Sequence, residues 1–263
     1  MATSEKMLAR KQGAVGHMVF NNPERHNAVS MEMWEAAESI LADFNDDAHI
    51  RVIVLSGAGG RAFVSGADIS KFEDERASAE AVKQYNATTA RAYANLYESP
   101  KPTIAMIRGY CIGGGLGLAA SCDIRFCTEG ARFALPAARL GLGYSLASIK
   151  RLSDVVGVAN ARDICLSARR YDAGEALAMG LVHAVLPDAD LERHVEEYAA
   201  KVAANAPLTV SAMKRVFTEL ARDPGDRDLD AIQAAVDRCF ASEDYVEGRQ
   251  AFMEKREPQF KGR

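Results

Sequence analysis

The chain predicts an α/β fold, and three observations carry that prediction. Short apolar or alternating runs recur through the first half, amphipathic stretches of helical period lie between them, and from about residue 145 the pattern turns almost wholly helical. No low-complexity or Pro/Gly-rich linker divides the halves, so one domain spans 1–263, with a core over 1–200 and a helical C-terminal region over 201–263.

Runs at 14–20, 51–55, 103–108 and 124–127 are short and rich in strand-forming residues, and they read as strands. Ser30 precedes an apolar stripe of Met31, Trp34, Ile40, Leu41 and Phe44, which gives the first helix a start signal and a face for the sheet. A further helix covers 85–97. The tail reads as helices over 145–156, 159–167, 172–179, 191–204, 208–220, 228–242 and 243–257, with one strand at 181–186. Such a helical appendage can pack against neighbouring subunits.

Composition narrows the function. The 263 residues are 48% hydrophobic and 26% charged, which is globular rather than disordered. A net charge of −4 gives no global attraction to nucleic acid or to an anionic membrane. The N-terminus has no basic segment followed by an apolar run, and no stretch is long enough to span a bilayer, so a cytoplasmic location is expected. Five cysteines, odd in number and without a Cys-x-x-Cys pair, suggest neither a disulfide framework nor a zinc site; five scattered histidines suggest no metal.

Two glycine-rich segments carry the chemistry. Ser65-Gly66-Ala67 and Gly113-Gly114-Gly115 each follow a predicted strand, and small residues let a ligand approach backbone N–H groups closely. The second segment opens an apolar helix through Leu116, Leu118, Ala119 and Ala120, whose N-terminal dipole adds positive potential. Converging N–H groups of this kind make an oxyanion hole.

Together these segments resemble those of the crotonase superfamily, the enoyl-CoA hydratase/isomerase family, whose members stabilise a thioester enolate. The resemblance covers nearly the whole chain: Asn22-Pro23-Glu24-Arg25-His26-Asn27-Ala28 near the start, Gly59-Gly60-Arg61-Ala62-Phe63 before the first segment, and Lys101-Pro102-Thr103 before the second. Cys122-Asp123-Ile124-Arg125, Gly180-Leu181-Val182 and Phe252-Met253-Glu254-Lys255-Arg256 follow in order. The resemblance implies a spiral of ββα units over the core, a C-terminal region that builds homo-trimers or hexamers, and an acyl-CoA substrate. It implies no separate cofactor, since coenzyme A is part of the substrate. The oxyanion donors would be the N–H groups of Ala67 and Gly114. Substrate binding would fall to Ser65, Gly66, Asp68 and Ile69 in the first loop, to Ala28, and to Arg25 near the CoA phosphates. Phe252 and Lys255 match positions that meet the adenine nucleotide, often across a subunit boundary.

The chain departs from that pattern at the acids. Hydratases of the family use two glutamates to activate water and deliver a proton; an ungapped match puts Gly117 and Ala137 there, and neither transfers a proton. The following segment, Leu140-Gly141-Leu142-Gly143-Tyr144-Ser145-Leu146, resembles the methylmalonyl-CoA decarboxylase branch, in which a tyrosine lies near the scissile carboxylate; that branch has a histidine in place of Ala67. Tyr144 is therefore the candidate side chain for the reaction, which could be decarboxylation, isomerisation or thioester hydrolysis, and a non-catalytic acyl-CoA binder is the alternative. The size of the acyl pocket depends on Phe72, the 85–97 helix and residues 142–146.

Two other motifs compete. Gly143-Tyr144-Ser145-Leu146-Ala147, with Asp172 and His183 further on, approximates a hydrolase nucleophile elbow without its last glycine. Gly115-Leu116-Gly117-Leu118-Ala119-Ala120 approximates a dinucleotide fingerprint but has no acid-ended second strand behind it.

Overall fold

The computed structural model describes residues 4–68, 71 and 77–263. It opens with a hairpin of β1 (Met7–Gln12) and β2 (Val15–Phe20), paired from Met7 against Phe20 to Gln12 against Val15. Helix α1 (Met31–Asp46) follows and buries Met33, Trp34, Leu41 and Phe44. Ser30 occupies its N-cap position, as expected, yet makes no capping bond; its hydroxyl is buried with no partner among the described residues.

Three turns of one pattern come next. The first is β3 (Val52–Gly57), β4 (Ala62–Val64) and α2 (Ala79–Tyr97); the second is β5 (Thr103–Ile107), β6 (Tyr110–Ile112) and α3 (Gly114–Ser121). The third is β7 (Ile124–Thr128), β8 (Arg132–Ala134) and two helices, α4 (Ala137–Leu140) and α5 (Leu146–Ser167). In every turn the first strand joins one sheet and the second strand joins another. Each turn advances both sheets by one parallel strand, through β3-β5-β7 and β4-β6-β8. That repetition is the expected spiral of ββα units.

Two short elements, β9 (Tyr171–Asp172) and α6 (Ala173–Ala178), precede β10 (Ala184–Leu186), which completes a six-stranded sheet of order β1-β2-β3-β5-β7-β10. The four-stranded sheet runs β4-β6-β8-β9. Helix α7 (Asp188–Ala203) lays Leu191, Val195 and Ala199 on Val52, Val54, Ile104 and Phe126 of the large sheet. The opposite face of that sheet meets the main core, which holds Trp34, Phe44, Phe63 and Leu116. Both faces are thus covered, which is why β3 is a nearly continuous apolar run rather than an alternating one.

Helices α8 (Pro207–Leu220), α9 (Leu229–Phe240) and α10 (Glu243–Glu254) form the tail. The separate helices expected over 145–156 and 159–167 are the two halves of α5, broken at Gly157, where φ is 76° and ψ is 155°. Strands β1, β4, β6, β8 and β9 fall outside the runs that read as strands in the sequence.

Candidate active site

The loop after β4 is tied to the segment before α1. The Val29 N–H donates to the Gly66 carbonyl at 2.8 Å, and the Asp68 N–H donates to the Val29 carbonyl at 3.0 Å. In a parallel bridge of this kind the residue between the two partners, Ala67, turns its own N–H to the opposite edge. Among the described residues that N–H has no acceptor. Gly66 makes the geometry available, since its φ of 113° is one that side-chain-bearing residues rarely adopt.

The second segment is anchored by Gly113, whose N–H donates to the Ala134 carbonyl at 2.9 Å. Gly114 is the first residue of α3, so its N–H has no acceptor within the helix. Gly115 packs directly on the Val64 carbonyl, leaving no room for a β-carbon. That contact draws α3 onto the end of β4 and sets Gly66 beside Gly114, where an added Gly66 β-carbon would lie 3.9 Å from the Gly114 nitrogen.

Both segments line one cavity of about 500 Å³, together with Tyr93 of α2 and with Ala137 and Tyr144. The described lining residues include no Asp, Glu, His, Cys, Lys or Arg; the ionisable groups are the phenols of Tyr85, Tyr93 and Tyr144. The Tyr93 hydroxyl donates to the Gly114 carbonyl at 3.1 Å, and its ring stands edge-on to Trp34 at 5.3 Å. Burial pushes this phenol well above its ordinary range, so it remains a neutral donor. The same ring covers Gly117.

Of the candidate binding residues, Arg25 and Asp68 meet as an ion pair at 3.3 Å, with Asp68 buried and Arg25 half exposed. The Ser65 hydroxyl donates to the Arg25 carbonyl at 3.3 Å. Ala28 is buried, and its carbonyl accepts from the Asn22 side chain at 2.9 Å. Ile69 and Phe72 lie outside the described residues. Phe252 and Lys255 sit at the end of α10 and do not line the cavity within one chain; Phe252 is 82% exposed.

Neither competing motif forms its site. The Ser145 hydroxyl caps α5 by accepting from the Ser148 N–H, Asp172 is spent in a capping box with Glu175, and His183 Nδ1 accepts from the Arg125 N–H. Gly115 to Ala120 opens a helix within the spiral rather than a dinucleotide-binding unit. The 85–97 helix, expected to shape the pocket, lies within α2 and lines the cavity with Tyr85, Thr89 and Tyr93, which recur every fourth residue on one helix face.

The enoyl-CoA hydratase/isomerase family model matches residues 10–263, and the chain belongs to that family. It is 31% identical to the short-chain-enoyl-CoA hydratase of Clostridium acetobutylicum over 95% of each chain. It is also 31% identical to the peroxisomal Delta(3,5)-Delta(2,4)-dienoyl-CoA isomerase of Arabidopsis thaliana, over 98% of this chain and 96% of that one. Among solved structures, an enoyl-CoA hydratase/carnithine racemase from Magnetospirillum magneticum superposes with a TM-score of 0.94 at 34% identity, covering 99% of this chain and 97% of that one. No helix among the described residues is long and apolar enough to cross a membrane.

Proposed function

We propose that the protein acts on an acyl-CoA thioester, whose carbonyl oxygen receives the N–H groups of Ala67 and Gly114, and that its reaction passes through the thioester enolate without hydration. The observation that carries this reading is the pairing of two N–H donors, each lacking an acceptor among the described residues, on a cavity whose described walls hold no carboxylate. Fixed donors aimed at developing negative charge stabilise it without reorganising. Water addition needs a base and an acid, and the described walls of the cavity offer phenols in their place.

Decarboxylation fits such a wall best. The bond from the α-carbon to the carboxylate breaks, its electron pair flows into the thioester carbonyl to give the enolate, and carbon dioxide leaves. No base is required, and a proton then returns to the α-carbon from water or from a phenol. Tyr144, which lines the cavity and is 40% exposed, would orient the substrate. Coenzyme A enters as part of the substrate.

Arg25 and the α10 residues Phe252 and Lys255 would hold the nucleotide end, the latter pair from a neighbouring subunit of a homo-trimer or hexamer. Support for an assembly comes from α8, where the exposed Met213, Phe217 and Leu220 share one face. Light scattering checks the oligomer. A panel of malonyl-, methylmalonyl- and enoyl-CoA esters checks the reaction: turnover of a carboxylated ester with no more than trace hydration of crotonyl-CoA is expected, and a hydration rate typical of the family would overturn the reading.

A further inference from the structure

Next to the main cavity lies a smaller chamber, and three residues, Tyr93, Tyr144 and Ser148, line both. Its free volume is about 20 Å³, enough for one water molecule or a single small polar group. The rest of its wall is apolar or small, with Leu116, Gly117 and Leu135, except for one charge, Arg151 of α5.

Arg151 is half-buried and has no carboxylate at ion-pair distance among the described residues. Two acids close to it are engaged elsewhere. Glu98, whose field reaches it, pairs with Arg222 at 3.8 Å, and Asp154 pairs with Lys150 at 2.7 Å. The described contact of its guanidinium is the face of Tyr97, 5.3 Å from the ring centre, which orients the group without neutralising it. Ser148, one turn before it, belongs to the N-terminal turn of α5, whose dipole adds to the same positive field. A guanidinium brought part-way out of water without an anion is costly, and a ligand that supplies the anion offsets that cost.

On the acyl-CoA reading, we infer that Arg151 is a specificity residue which receives a carboxylate at the far end of the acyl chain, so that the substrate is a carboxylate-terminated acyl-CoA. This carboxylate is not the one lost. A cation on a scissile carboxylate would stabilise the state that must react, whereas the oxyanion donors stabilise the charge that reaction creates. A planar fork of donors suits a carboxylate better than an ammonium would.

The test is a binding series with succinyl-, glutaryl- and adipyl-CoA against butyryl-, valeryl- and hexanoyl-CoA. At least one dicarboxylyl ester should bind the wild-type protein tenfold or more tightly than its monocarboxylyl counterpart, about 1.4 kcal/mol. The ratio should fall with salt, approach one in Arg151→Gln and recover in part in Arg151→Lys. Equal affinities across the wild-type series, which need no variant to measure, overturn the inference; so does a ratio that persists in Arg151→Gln. Failure to bind any ester is a different outcome, and it overturns the acyl-CoA reading together with this one.

Discussion

The ring of Tyr93 closes over Gly117, its Cζ standing 3.1 Å from where a β-carbon on that glycine would lie. The ring cannot simply swing aside, because its hydroxyl is bonded to Gly114 and its edge is packed on Trp34. The space in which a side chain at position 117 would act is therefore already filled. Gly117→Glu should not create hydration, and it should cost about 1–3 kcal/mol through overpacking. Combining it with Tyr93→Ala should cost less than the two single changes added, since the smaller residue makes room for the larger. Urea unfolding of the four proteins measures the coupling; strict additivity would show that the two positions do not compete for space.

Removing one N–H tests the proposed thioester site. Ala67 does not use its own N–H in the bridge to Val29, whose bonds run to Gly66 and Asp68. Ala67→Pro thus deletes a donor while leaving both bridge bonds in place. Turnover of whichever ester is accepted should fall by about 10²–10³, the usual loss for one oxyanion donor. Circular dichroism verifies that the variant is folded, and turnover at the wild-type rate would remove Ala67 from the chemistry.

The cavity also constrains the pH profile. Its described walls carry no carboxylate or imidazole, and burial raises the Tyr93 phenol rather than lowering it, so that group stays protonated at neutral pH and above. No ionisation of the described lining should limit turnover through the range of an ordinary carboxylate or histidine. A plot of log kcat against pH should be flat there, and a bell-shaped curve in that interval would reveal an acid or base that the described lining lacks.

Burial separates the five thiols into two groups. Cys122 and Cys127 are pushed up to about 12 by desolvation, and Cys111 rises well above its ordinary value for the same reason. The thiolate is the reactive form, so none of these three should react near pH 8. Iodoacetamide should label at most Cys165 and Cys239 in the native protein and all five in urea, as counted by mass spectrometry. Native labelling of Cys111, Cys122 or Cys127 would mean that the core opens on the timescale of the reaction.

The long strands and the two N–H segments were legible in the sequence because each is a local pattern. Residues 52–55 form a continuous apolar run, and Gly66 and Gly114 stand where small residues follow strands. The second sheet was not legible. Its strands β4, β6 and β8 have three residues each, too few to show a period, and their pairing is decided by the spiral rather than by their own side chains. Strand β1 was hidden differently: it lies at a sheet edge with most of its residues exposed, so its composition is polar. Tyr93 illustrates the third limit. Its contact with Gly117 joins helices from successive turns of the spiral, and no spacing within either helix announces it.

Asn27 links the first of these turns to the site. It is fully buried, with φ of 56°, and its side-chain amide donates to the carbonyls of Ala58 at 3.0 Å and Ala62 at 2.8 Å while its oxygen accepts from the Asn22 N–H at 2.9 Å. Those bonds hold the start of β4 against the segment that carries Val29, and so hold Ala67 in its bridge. Asn27→Gly keeps the left-handed backbone accessible and deletes all three bonds, which isolates the side chain's contribution. Leaving buried carbonyls and an N–H without partners should lower the unfolding free energy by about 2–3 kcal/mol, read from urea denaturation. Turnover should fall as well, because the bridge that aims the Ala67 N–H loses its support; a variant as stable and as active as the wild type would show that Val29 and Ala67 hold their register without Asn27.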